Sequence, residues 1–173
     1  AHAEREALAN AEHSGRDVRG ATMYVTLEPC HHTGRTGPCS RALADAGIRR
    51  VVAAMRDPNR TAGGGLDFLA SQGLDVAAGC LEPEAMVFNA GFNTFHLLGR
   101  PLVTLKWAMT LDGCTSVPGG DSKWITAEQA RGEVHRRRAL HDAILVGVET
   151  LLADNSQLTA RLDTAPPGPP LKR

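Results

Sequence analysis

Residues 22–39 read TMYVTLEPCHHTGRTGPC, and their order decides the fold. Thr22 to Leu27 is β-branched and aromatic, bounded by Gly20 and Pro29, which is the composition of a buried strand. Cys30 follows at once, and Cys39 stands just before a segment, Ser40 to Ala46, that reads as a helix ended by Gly47. Arg50 to Met55 reads as a second strand, closed by Asp57-Pro58-Asn59. Strand, loop, helix and strand in that order predict an α/β fold with a largely parallel sheet.

The flanks extend the same pattern. Residues 3–13 hold Ala, Leu and Glu at helical density, with Gly15 as the stop. Gly63, Gly64 and Gly65 form a turn opening a helix from Leu66 to Ser71, ended by Gly73. Leu74 to Ala78 reads as a third strand, and Glu82 to about Leu97 as one further helix with Pro83 in its first turn. Gly99-Arg100-Pro101 punctuates the chain, so the domains are read as 1–98 and 99–173. Beyond it, Leu102 to Trp107 predicts a strand, Thr126 an N-cap opening a helix, and Ala143 to Val146 another strand.

Composition narrows the function. Lys+Arg and Asp+Glu both number 19, so no basic excess offers a broad hold on nucleic acid. The densest basic run, Arg136-Arg137-Arg138, reads first as a solvated helix face. No apolar stretch reaches the roughly 18 residues of a membrane span, and the polar start is no signal peptide. Four cysteines without a secretion signal read as thiols or metal ligands, and the expected location is the cytoplasm.

Three features belong together: His2-Ala3-Glu4, Pro29-Cys30 and Cys39. Imidazole and thiolate are zinc ligands, and a catalytic zinc takes three of them while keeping a fourth position for water. His2, Cys30 and Cys39 are the expected ligands. Glu4 is the expected proton carrier, taking a proton from water and delivering it to leaving ammonia. A helix starting at Cys39 would favour its thiolate. A structural zinc with His31 or His32 as fourth ligand stays open. Arg35 suits a substrate phosphate through its guanidinium fork, although an exposed loop arginine reads the same way. Cys80 and Cys114 have no motif around them.

Eight residues separate Cys30 from Cys39, instead of the two in the compact zinc-deaminase signature. That long loop, with Thr26-Leu27-Glu28-Pro29-Cys30, resembles the bifunctional riboflavin-biosynthesis deaminase/reductases, in an actinobacterial-like form. Lys106-Trp107-Ala108-Met109-Thr110-Leu111-Asp112-Gly113 is similar to the opening strand of that family's reductase domain. Gly120-Asp121-Ser122-Lys123-Trp124-Ile125-Thr126 and the stretch from Val146 to Arg161 match its next motifs.

The resemblance implies a cytidine-deaminase-like three-layer α/β/α domain without its first helix and hairpin, then the start of a dihydrofolate-reductase-like α/β domain. It implies deamination of 2,5-diamino-6-ribosylamino-4(3H)-pyrimidinone 5′-phosphate, followed by NADPH-dependent reduction of the ribosyl chain. Ala108, Trp124, Thr150 and Asp154 would contact NADPH. Ser122, Arg138, Leu158 and Arg161 would contact the substrate. The partners implied are this small phosphorylated pyrimidine and no nucleic acid or membrane, with a homo-oligomer allowed. The chain reads as an internal fragment, since it starts on the His-x-Glu motif without Met and ends in a Pro-rich run. A zinc deaminase of another base or nucleoside, and a catalytically incomplete zinc-binding fragment, are the competing readings.

Overall fold

The computed structural model describes residues 2–34, 36–120 and 122–162. Arg35, Asp121 and the Pro-rich run near the C-terminus lie outside the described residues. The chain divides into two compact units, Ala1–Thr104 and Leu105–Arg173, a few residues beyond the boundary read at Gly99.

The first unit is α/β. Its elements are α1 (Ala3–His13), β1 (Thr22–Val25), α2 (Cys39–Asp45), β2 (Arg50–Ala53), α3 (Gly65–Ser71), β3 (Asp75–Ala78), α4 (Glu82–Phe88) and α5 (Ala90–Leu98). The strands form a parallel sheet in the order β1-β2-β3, with Met23 opposite Val51 and Val51 opposite Val76. Parallel neighbours need crossover connections, and the α2 and α3 segments supply them.

Side chains alternate across the sheet, and one face carries the core. Val51 and Ala53 pack there with Leu43 of α2 and with Leu66 and Leu69 of α3; Leu8, Met23, Val25 and Val76 lie against them. Central β2 is buried from Val51 to Ala53. The expectation of a buried β1 needs correction, because its residues alternate between exposed and half-buried. β1 is an edge of the sheet among the described residues, and Tyr24, on the face away from α2 and α3, is 71% exposed.

A buried carboxylate joins the end of β1 to α3. Glu28, 4% exposed, accepts the Leu66 N–H at Oε1 (2.9 Å) and the Asp57 N–H at Oε2 (3.0 Å). Leu66 lies in the first turn of α3, whose N-cap Gly64 has no side chain to serve the orphan donors there. An amide at position 28 keeps only one acceptor oxygen and loses the charge. Glu28→Gln is therefore expected to lower unfolding free energy by about 2 kcal/mol, read as a lower urea midpoint.

Two helices stand where one was read. The segment from Glu82 breaks at Asn89 (φ −96°, ψ 20°), whose side-chain Nδ2 donates to the Ala85 carbonyl at 3.0 Å. Asparagine competes for helix carbonyls in this way, which explains the interruption.

The second unit contains α6 (Glu128–Ala139) and α7 (Val148–Asp154). The strands read at 102–107 and 143–146 are absent among the described residues, apart from a single bridge residue at Ala143. A β-run needs a neighbour to take up its N–H and C=O groups and to cover its apolar side chains. Here Val103, Leu105 and Trp107 are exposed, and no described side chain from Leu105 onward is buried. Thr126 is not the N-cap of α6; that position is Ala127, while the Thr126 carbonyl accepts Arg131 Nη1. Within the basic run, Arg136 and Arg137 both bind Glu133, at 2.9 and 3.0 Å, as a solvated face does.

Candidate active site

The centre is assembled from three places. His2 is the N-cap of α1, and its carbonyl accepts the Glu6 N–H. Cys30 lies in the loop five residues after the end of β1, and Cys39 is the first residue of α2. Their ligand atoms lie within 4.8 Å of one another, with both cysteines buried and His2 exposed. Cys30 Sγ is 3.6 Å from His2 Nδ1 and accepts the Cys39 N–H at 3.4 Å.

The donors fit zinc. Zinc–sulfur and zinc–nitrogen bonds of about 2.3 and 2.05 Å at a tetrahedral angle imply a sulfur–nitrogen edge of about 3.6 Å, the separation found between Cys30 and His2. Neither His31 nor His32 joins the group. His31 Nδ1 is bonded to Ser40 Oγ at 2.8 Å and its ring stacks on Phe68, so it is spent on holding the loop. Among the described residues, three donors converge, and a fourth coordination position has no side chain assigned to it.

Glu4 lies in the first turn of α1, two residues from His2. Its charge reaches Cys39. Burial first, then the Glu4 carboxylate and Cys30, push the Cys39 thiol up to about 12. The expected help from the helix start is outweighed, because burial costs the thiolate more solvation than a seven-residue helix and the opposing Arg5 charge return.

Several residues around the centre carried no signal as isolated letters. Ser40 is fully buried under His31. Arg5 reaches from α1 to the Gly37 carbonyl at 3.0 Å. His32 has a buried Nδ1 without a hydrogen-bond partner, a polar position that a ligand can satisfy. Burial raises the Asp57 carboxyl above its ordinary value, opposed by Asn59. What could have marked them is proximity in sequence to the ligands, since all but Asp57 flank His2, Cys30 or Cys39.

In the second unit, the expected substrate residues partly converge. Arg138 Nη1 donates to the Thr159 carbonyl at 3.2 Å, and the Arg161 N–H donates to His135 Nδ1 at 3.2 Å. Burial, then the charge of Arg161, draws Arg138 below the usual arginine value. Leu158 lies between them in sequence with φ +52°, while Ser122 is exposed on its loop. The expected cofactor residues do not converge among the described contacts. Ala108 is in an irregular stretch, Thr150 and Asp154 are exposed on α7, and Trp124 is 71% exposed with Arg131 over its ring at 4.4 Å.

Fold and site together define a zinc-binding deaminase region on a parallel α/β sheet. Residues 1–55 match the family described as cytidine and deoxycytidylate deaminase zinc-binding region, and residues 101–172 match the RibD C-terminal domain. RibD, the riboflavin biosynthesis protein of Haemophilus influenzae, is 46% identical over 95% of this chain and 44% of its own length. RibD of Corynebacterium ammoniagenes is 48% identical over 92% of this chain and 47% of its own. The crystal structure of a diaminohydroxyphosphoribosylaminopyrimidine deaminase/5-amino-6-(5-phosphoribosylamino)uracil reductase from Thermotoga maritima superposes with a TM-score of 0.90 at 46% identity. That match covers 94% of this chain and 46% of the other. The chain is of the RibD type, a deaminase region followed by RibD C-terminal sequence. It spans under half the length of the relatives it matches.

Proposed function

We propose that the chain belongs to a bifunctional enzyme of riboflavin biosynthesis. Its first part, read as residues 1–98, hydrolytically deaminates 2,5-diamino-6-ribosylamino-4(3H)-pyrimidinone 5′-phosphate. Its second, read as 99–173, takes part in NADPH-dependent reduction of the ribosyl group to ribityl. The observation that carries this reading is the convergence of His2, Cys30 and Cys39 within 4.8 Å, with Glu4 in the adjoining helical turn.

Zinc, when bound, supplies the Lewis acidity that brings the ionisation of water near neutral pH. Glu4 takes the proton that water gives up on attacking the amino-bearing ring carbon. It returns that proton to the departing nitrogen, so the carbon–nitrogen bond breaks and ammonia leaves. The buried Nδ1 of His32 is available to the polar edge of the base. Arg138 and Arg161 suit an anionic substrate group, since two neighbouring guanidinium groups favour phosphate oxygens. The reductase part rests on the family relation. Among the described residues no helix is long and apolar enough to cross a membrane, and we place the enzyme in the cytoplasm.

Ammonia release from the diaminopyrimidine phosphate tests the deaminase. Glu4→Gln should lower turnover by about 10²- to 10⁴-fold while zinc content stays at the parent level. Equal turnover in parent and variant would overturn the role of Glu4. A second reading, a zinc-binding piece without turnover, is favoured by one observation. The outer edge of β1 is unpaired among the described residues, and Tyr24 is exposed there. Zinc uptake with no ammonia from any substrate would support it.

A further inference from the structure

The side chain next to Glu4 is unexplained by the chemistry above. Arg5 lies three positions after His2, and residues three apart share a helix face. From that face its Nη2 donates to the carbonyl of Gly37, two residues before Cys39, at 3.0 Å. The bond joins the element that carries His2 and Glu4 to the loop that delivers Cys39. Gly37 accommodates it, since a Cβ there would stand 3.2 Å from the same nitrogen. The Arg5 Nε is buried and has no hydrogen-bond partner.

A guanidinium held half-buried, with one donor unanswered, is costly unless anions stand near. The anion here is the thiolate that Cys39 becomes on ligation, since the Arg5 charge reaches that residue. Groups behind the ligands commonly govern metal affinity by fixing ligand direction.

We propose that Arg5 is a positioning residue of the metal centre: its guanidinium clamps the Cys30–Cys39 loop to the first turn of α1, holding Cys39 in ligating position beside His2. This inference rests on the metal-site reading above. It acts through Gly37 and Cys39, and Arg5 itself touches neither metal nor substrate.

The test is titration of the full 173-residue chain with Co²⁺ and Zn²⁺, following the visible cobalt bands and competition with a chelator. The parent and Arg5→Met, Arg5→Lys and Cys30→Ala are compared. Arg5→Met should bind both metals about 10-fold or more weakly and show altered cobalt bands. The melting midpoint of its metal-free form should match the parent's. Arg5→Lys, which keeps the charge and one donor, should recover part of the loss. Unchanged affinity and bands in Arg5→Met would overturn the proposal while leaving the metal site standing. So would affinity and metal-free melting falling together without rescue by lysine, since that marks packing alone. No metal in the parent, or equal uptake in parent and Cys30→Ala, would remove the metal site itself and this inference with it.

Discussion

Cys39→Ala is expected to reduce bound zinc from about one per chain to none after dialysis, measured by atomic absorption. Cys39 is fully buried at the start of α2, and its sulfur is one of three donors that converge. Removing it leaves His2 and Cys30, and two donors do not hold zinc against a chelator. The fold should survive, because α2 still packs through Leu43. Zinc retained at the parent level in the variant would mean that the metal is held elsewhere.

The same centre predicts a pH dependence. Burial and the Glu4 charge hold the metal-free Cys39 thiol up to about 12. The thiol therefore keeps its proton at neutral pH, and the metal must displace it. Apparent zinc affinity should rise with pH below that value, by about tenfold per pH unit for each proton released. Chelator competition at several pH values reads the slope. A flat profile would show that Cys39 ligates without giving up a proton, which contradicts its burial.

Gly65→Ala is expected to abolish stable folding of the first unit. A Cβ at Gly65 would lie 1.7 Å from the Pro29 carbonyl oxygen and 2.8 Å from its carbon. Both are backbone atoms, in the residue before Cys30, so no side chain can move aside. Either α3 withdraws from the loop, or the loop shifts and carries Cys30 off its position. The cost is expected to exceed about 4 kcal/mol, a large share of the 5–15 kcal/mol that a domain has. Gly91→Ala is the matched control: it lies in α5, and a Cβ there meets nothing within 4 Å. It should gain up to about 1 kcal/mol from helix propensity. Urea unfolding followed by circular dichroism distinguishes the two, and a parent-like midpoint for Gly65→Ala would contradict the close approach.

Much of this architecture was legible in the letters. The helix at 3–13, the second and third strands and the α3 helix lie where periodicity and glycine stops placed them, because each carries a local signal. The break at Asn89 was hidden inside a run with continuous helical character. The Thr126 hydroxyl suits a cap, but the chain turns into the helix one residue later, at Ala127. The strands read at 102–107 and 143–146 had the right composition, and composition cannot supply a neighbouring strand.

Sequence by itself determined the α/β class of the first unit and the chemical type of its centre. Strand and helix periods are local, and imidazole, thiolate and carboxylate keep their chemistry wherever they stand. Only the tertiary structure decided that His31 serves Ser40 and leaves the metal group to three donors. It alone showed Glu28 as the carboxylate that ties the β1 end to α3, and Arg5 as the link between α1 and the cysteine loop. Those roles depend on distances between residues far apart in the chain. Such distances are set by how the sheet buries one face against α2 and α3, and no single segment records that.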